Sequence, residues 1–300
     1  MILVTGATGF IGTAFVKALV ASGEKPRILV RNASTERMDG AETVEGDLLS
    51  IPSLENATKG VNAVVHLAGL VSYSATKSEL FATNVAGTLN LLNACKKTNV
   101  KRFVFASSVA VYGKHTGPIS EDTPTRPLND YGNSKLVAES YVMESGMECI
   151  ILRFAPVYGA GSKQWMENIK LLDGGFPVPA TKNKTHVVSV GNATGALMLA
   201  LTGPSGTYNI ADAEPIGFTD FAERIVRLLG KEPKAMPLWL VKLGATFKGL
   251  GPYVDVLTQE RQYSIKETQE KLGYKPVDDF EDEADRMVKW YLETKELEAG

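Results

Sequence analysis

Short unbroken apolar runs recur along the first half of the chain: ILV at 2–4, ILV at 28–30, AVV at 63–65, FVF at 103–105 and CIIL at 149–152. Runs this short, apolar at consecutive positions, predict strands covered on both faces. The strands so read are 1–6, 26–31, 61–69, 101–108 and 148–155, with a more polar one at 42–47. Between the first two the period lengthens. Phe10, Ile11, Ala14, Phe15, Ala18 and Leu19 stand at helical spacing across 9–23, closed by Gly23. Longer helices are predicted over 76–98 and 131–145. Strands alternating with helices through residue 155 predict the α/β class and a doubly wound parallel sheet.

The rhythm breaks after 155. Gly and Pro crowd APVYGAGS and LLDGGFPVPA, and short strands at 185–190 and 206–211 flank the helix NATGALMLAL. A helix-rich tail follows over 218–296, interrupted at Pro233, Pro237, Pro252 and Pro276. Two units are therefore expected. Residues 1–155, rejoined by a strand near 206–211, form the core; residues 156–300 are mainly a smaller lobe. That lobe closes over the C-terminal edge of the sheet, where ligands of open α/β sheets bind.

Charge narrows the partners. Lys and Arg number 32 and Asp and Glu 34, a net of 32 − 34 = −2. Nothing here advertises nucleic acid or an anionic membrane, so an anionic ligand needs a local site. No run approaches the roughly 18 apolar residues of a membrane span. No charged and apolar leader precedes MILVTG, and a cytoplasmic location is expected. Cys95 and Cys149 lie inside apolar-periodic segments and read as inert thiols. The three histidines show no metal spacing, so no metal is expected.

The chemistry begins at TGATGFIG. Gly6, Gly9 and Gly12, with Thr8, Phe10 and Ile11 among them, join the first strand to the first helix. A turn without Cβ atoms lets a pyrophosphate rest on main-chain N–H groups at a helix N-terminus. At a first β-α junction this is a dinucleotide-binding fingerprint and makes the sheet Rossmann-type, although the spacing is G-x-x-G-x-x-G. The residue ending the second strand is Arg31, followed by Asn32. Its charge suits a 2′-phosphate, so NADP is favoured with NAD possible; a solvated surface arginine is the alternative. Asp47, with Leu48 beside it, follows the third strand and can accept from an adenine amino group, or simply cap a helix.

Tyr131 and Lys135 stand four apart at the start of a predicted helix and share one face. A free phenol has a pKa near 10 and is a poor base at neutral pH. A neighbouring ammonium favours phenolate and makes the pair an acid/base device. Ser107 and Ser108 end the fifth strand and offer a hydroxyl at the same edge. Gly132 lies inside the helix, where it costs about 1 kcal/mol relative to alanine. Room beside a nicotinamide is the expected compensation.

Glycine loop, strand-end serines and Tyr-x-x-x-Lys, in that order, make the chain resemble the extended short-chain dehydrogenases/reductases, including the NAD-dependent epimerases/dehydratases. HLAG at 66–69, NVAGTLNLL at 84–92, SSVAVYG at 107–113, LRFAPVYG at 152–159 and KLGYKP at 271–276 agree. The resemblance spans nearly the whole chain. It implies Ser108 as catalytic serine, Tyr131 as acid/base and Lys135 as its partner. It also implies Ser107 against the cofactor through its backbone, Leu67, Ala68 and Gly69 beside it, Asn84 supporting the site, and Pro156 and Val157 near the nicotinamide. A homodimer pairing the helices at 76–98 and 131–145 is implied too.

Three activities are compatible. SSVAVYG and LRFAPVYG resemble the nucleotide-sugar epimerases, while SSV in place of Thr-Asp/Glu-Glu argues against dehydration. Arg31 and the apolar MPLWLVKLGATFKGLGPYVDVL (236–257) suit an NADP-dependent reductase or dehydrogenase of a less polar carbonyl, as in dihydroflavonol reductases or hydroxysteroid dehydrogenases. Two departures count against a nucleotide sugar: Gly191-Asn192 stands where that branch has an aspartate pair, and only Lys182, Lys184 and Arg261 offer themselves to a diphosphate. A non-catalytic cofactor-sensing module is the third reading, and such modules tend to lose the tyrosine or lysine retained here.

Overall fold

The computed structural model describes residues 1–72, 75–247, 259–277 and 280–299. Seven parallel strands form the central sheet: β1 (Ile2–Thr5), β2 (Arg27–Val30), β3 (Glu42–Glu45), β4 (Ala63–His66), β5 (Arg102–Ser108), β6 (Glu148–Phe154) and β11 (Gly206–Ile210), in the order β11-β6-β5-β4-β1-β2-β3. The chain leaves β1 on one side for β2 and β3, then returns to the other for β4. This reversal opens a crevice at the C-terminal ends of β1 and β4, the place where such sheets take ligands.

Period-two alternation divides the strand residues between two cores. Val4, Val65, Val104 and Leu152 face α1 (Phe10–Ala21) and α7 (Val190–Ala200), which contribute Phe15, Leu19, Ala193 and Leu197. Leu3, Val64, Phe103 and Ile151 face α2 (Ile51–Thr58), α4 (Gly87–Lys97) and α5 (Asp130–Met143), through Leu54, Leu91 and Val142. A third core, of Tyr158, Trp165, Phe221, Ile225, Met287 and Tyr291, joins α6 (Lys163–Asp173), α8 (Phe218–Leu228) and the last helix.

The long helix expected at 76–98 is continuous in path but changes its winding. α3 (Lys77–Phe81), begun by a Thr76–Glu79 capping box, runs through a π-turn at Ala82–Ala86 into α4. The sequence reading placed no element at 51–58, where α2 forms with Pro52 near its start. This proline sits in the first turn, where its missing N–H has no helical partner to lose. The strand expected at 185–190 is instead two pairs, β9 (Lys184–Thr185) and β10 (Val188–Ser189). Ser189 accepts from the Asn192 N–H at 2.9 Å and starts α7 early, so capping overrides β-branched pattern.

Short strands β7 (Val157–Tyr158), β8 (Val178–Ala180), β12 (Ile216–Gly217) and β13 (Ala235–Pro237) complete the second half, with α9 (Leu238–Phe247), α10 (Lys266–Leu272) and α11 (Phe280–Ala299). The rest of the apolar stretch 236–257, with Pro252, lies outside the described residues. No helix among the described residues is long and apolar enough to cross a membrane.

Candidate active site

The glycine loop is built by exclusion. Gly6 has φ +68°, and a Cβ there would stand 2.5 Å from the Ala68 nitrogen. A Cβ on Gly12 would overlap the Gly6 carbonyl oxygen, so this glycine seats α1 against the turn. Gly9 differs: its only near neighbour would be that same oxygen, at 3.2 Å. Gly9 is also the N-cap of α1, with no side-chain cap and no acidic residue in the first turn. The N-terminal amides and dipole of α1 are thus left without a competing anion, and the cradle fits a dinucleotide pyrophosphate. Thr8 is exposed there, and Phe10 and Ile11 are half-buried.

At the ends of β2 and β3, Arg31 and Asn32 are exposed. Asp47 is not a helix cap: Ser50 holds that position, and Asp47 accepts from the Leu49 N–H at 2.8 Å to close the preceding turn. Leu48 packs at Gly87, where a Cβ would lie 2.9 Å from its own.

Four elements meet past β4. The Leu67 and Ala68 N–H groups donate to the Thr5 carbonyl and hydroxyl oxygens, at 3.2 and 3.3 Å. A Cβ on Gly69 would lie 3.3 Å from Asn84 Oδ1 and 3.8 Å from Lys135 Nζ. Asn84, on the π-turn and 2% exposed, accepts from the Leu70 N–H at 2.7 Å. Its amide donates to the Leu70 carbonyl at 3.1 Å and to Ser134 Oγ at 3.0 Å. A π-turn shifts residues off the regular helical face, and here it delivers a side chain to clamp a loop onto α5.

Asn129 caps α5 by accepting from the Gly132 N–H at 2.8 Å, fixing the turn that carries half-buried Tyr131. Lys135 is 6% exposed, with its ammonium 4.3 Å from the centre of the Phe105 ring. Desolvation lowers its pKa to about 8, against the opposing charge of Glu139. Ser108, extended and half-buried at the end of β5, accepts from the Ala110 N–H at 3.2 Å. Exposed Pro156 and half-buried Val157 lie at the start of β7, which pairs with β10.

Gly132 corrects an expectation. A Cβ there would lie 2.6 Å from the Ala110 carbonyl oxygen and 3.0 Å from Pro127. The glycine lets α5 approach the turn after Ser108; it does not clear space for a nicotinamide.

The sequence reading missed a buried network behind these residues. Ser107 Oγ donates to Glu139 Oε1 at 2.5 Å, and Arg153 pairs with both Glu139 oxygens at 3.0 and 2.7 Å. Arg153 also donates to Tyr112 Oη at 2.9 Å, which in turn donates to Asn209 at 2.7 Å. Glu139 is fully buried and Arg153 is 7% exposed. The signal was a charged residue inside each apolar pattern, KLVAES and IILRFA.

His66 belongs to the scaffold. It lies between Thr5 and Thr88, at 2.6 and 3.0 Å, and burial first, then Lys135, lowers its pKa to about 3. Burial pushes the Cys95 thiol up to about 12 and raises Cys149. Among the described residues no group of three or more His, Cys, Asp or Glu is placed to hold a metal ion.

Residues 2–173 match the family model described as NAD dependent epimerase/dehydratase. The UDP-glucose 4-epimerase of Vibrio cholerae is 31% identical over 297 residues, covering 92% of this chain and 90% of that protein. The 3 beta-hydroxysteroid dehydrogenase/Delta 5→4-isomerase of Mycobacterium tuberculosis is 28% identical, covering 92% and 86%. The solved structure of MoeE5 with UDP-glucuronic acid and NAD superposes with a TM-score of 0.80 at 26% identity, covering 98% of this chain and 99% of that one.

Proposed function

The chain belongs to the NAD dependent epimerase/dehydratase family, and from that premise we propose that it is an NAD-dependent epimerase of a nucleotide-linked sugar. The observation that carries the proposal is similarity to a UDP-glucose 4-epimerase along nearly the whole of both chains. A nicotinamide, when bound, supplies the hydride acceptor and donor. Tyr131 takes the proton of a sugar hydroxyl as the carbon is oxidised and returns it on reduction. Ser108 hydrogen-bonds the same oxygen. The Lys135 ammonium favours the phenolate and holds ribose hydroxyls. The α1 N-terminus with Gly6, Gly9 and Gly12 holds the pyrophosphate. Residues 156–300, apart from the returning strand, form the lobe that takes the sugar nucleotide.

NAD is the cofactor of this proposal. The NADP preference drawn from Arg31 has no support among the relatives, whose family model and MoeE5 complex both specify NAD.

The missing aspartate pair weighs less than the sequence suggested. Asn192 is buried, donates to Asp212 at 2.7 Å and accepts from the Val277 N–H at 2.8 Å, which is a scaffold role. For the diphosphate we propose Arg261 with Lys184. The Arg261 N–H donates to the Lys184 carbonyl at 3.1 Å, which brings the two segments that carry them side by side. Arg261→Ala should raise KM for the nucleotide sugar about ten-fold or more with a smaller change in kcat.

A homodimer and a cytoplasmic setting complete the proposal. On α5, Tyr141 and Met143 are apolar side chains 37% and 59% exposed, either of which a second copy could cover. Light scattering on the purified protein tests that assembly.

One observation favours reduction of a less polar carbonyl. Trp239 and Leu243, one turn apart on α9, are 67% and 55% exposed. Turnover separates the two readings. Epimerisation of UDP-glucose at C4 leaves nicotinamide absorbance unchanged, whereas a reductase consumes reduced cofactor stoichiometrically.

A further inference from the structure

The loop after β2 answers a question that Arg31 raises. Its position and charge invite a 2′-phosphate, yet two carboxylates already occupy the main-chain donors there. Glu36 Oε2 accepts from the Arg31 N–H at 3.1 Å and from the Asn32 N–H at 3.0 Å. Glu45 Oε2, from the end of β3, accepts from the Ala33 N–H at 3.1 Å. Asn32 Oδ1 takes the next donor, the Ser34 N–H, at 3.0 Å. Four successive N–H groups, 31 to 34, are therefore engaged by side-chain oxygens.

Consecutive main-chain N–H groups in a turn are the usual receptor for a phosphate. Here they hold two carboxylates, whose combined charge of −2 balances the guanidinium groups of Arg31 and of Arg37, which donates to the Ala33 carbonyl at 3.0 Å. A 2′-phosphate brought to this loop would displace both carboxylates or lie beside them, and either is unfavourable. A ribose 2′-hydroxyl meets the opposite situation. Both Glu36 hydrogen bonds fall on Oε2, and Oε1 keeps acceptor capacity for a hydroxyl donor.

We propose that Glu36, backed by Glu45, is the residue that selects the unphosphorylated dinucleotide in this chain, cancelling an arginine that would otherwise select the phosphorylated one. No residue is acidic at the strand end itself, where Arg31 stands. The discriminating carboxylate comes back to that point from five residues downstream. The inference rests on the reading above that the chain binds a nicotinamide dinucleotide.

Direct binding tests it without turnover. NADH and NADPH are titrated into the full-length protein, followed by bound nicotinamide fluorescence, for the parent, Glu36→Gln, Glu36→Ala, Arg31→Ala/Glu36→Ala and the distant charge control Glu24→Gln. The parent should bind NADH more tightly than NADPH. Both Glu36 variants should raise NADPH affinity relative to NADH by about ten-fold, and by less in high salt. The double variant should lose that gain, because Arg31 is then absent, and Glu24→Gln should leave the ratio unchanged. Glu36→Gln keeps the side-chain shape and an acceptor oxygen, so it carries the test if the alanine variant fails to fold. An unmoved ratio in folded Glu36→Gln, or a parent that binds NADPH as tightly as NADH, overturns the proposal while leaving the cofactor reading intact. Binding of neither dinucleotide by the parent overturns the cofactor reading and the proposal with it.

Discussion

Tyr131 and Lys135 were legible because their relation is local: four residues on a helix share a face whatever the tertiary fold. Gly132 was misread because its reason is not local. The atom that forbids a side chain there is the Ala110 carbonyl oxygen, from the turn after β5. Gly132→Ala should push α5 away from Ser108 and lower kcat by about ten-fold or more, with NADH affinity nearly unchanged in a fluorescence titration. Lys135 adds a pH dependence. Its ammonium is present below the lowered pKa of about 8 and is lost as pH rises through it, so kcat should fall on the alkaline side near that value. Glu139 opposes the shift by stabilising the ammonium, so Glu139→Gln should move this alkaline limb to lower pH. A limb that moves upward, or not at all, would remove Glu139 from the electrostatics of the site.

Most strands were legible as apolar runs, since a sheet covered on both faces leaves few positions for a polar residue. The ends of elements were less so. Ser189 ended a predicted strand by capping α7, and α2 at 51–58 had no predicted counterpart. The Glu139–Arg153 pair is the interaction between elements that sequence periodicity could not supply. It joins α5 to β6 and, through Ser107, to the end of β5 beside Ser108. A buried pair of this kind is costly to break from one side, because the remaining charge stays in a low-dielectric interior. Arg153→Met should therefore destabilise the protein by about 3–5 kcal/mol, measured by denaturant unfolding. Loss within the range of an exposed ion pair would mean that water reaches Glu139. Asn84 was assigned to site support by resemblance; only the π-turn explains how it reaches both Leu70 and Ser134.

At the scale of the molecule, strand order fixes the crevice at β1 and β4, and the third core is built from elements of the second half. Asp173, at the end of α6, ties that core together by bonding Lys231, Lys295 and Tyr291, and these partners hold its carboxyl well below the usual range. A depressed carboxyl contributes stability that is present above its unfolded pKa, near 3.9, and is lost as pH falls through the folded value. Both lysines are about half exposed, so the contribution is screened. Asp173→Asn should lower stability by about 1 kcal/mol at neutral pH, and the gap to the parent should close in acid. The expected lobe over 156–300 was a reading of broken rhythm, and strand order explains why the rhythm resumes once: Gly206–Ile210 returns to the edge of the main sheet beside β6.

The central claim is that Tyr131 moves the proton while the sugar is epimerised and the cofactor is returned unchanged. The most direct measurement incubates the NAD-loaded parent and its Tyr131→Phe variant with UDP-glucose. The C4 epimer is followed by NMR, nicotinamide absorbance is recorded in the same sample, and NADH affinity is titrated separately. The account predicts epimer formation by the parent with no net absorbance change, and a rate about 10²–10⁴-fold lower in the variant with cofactor affinity preserved. Full activity in Tyr131→Phe, or epimer formation matched by stoichiometric loss of cofactor, would contradict it.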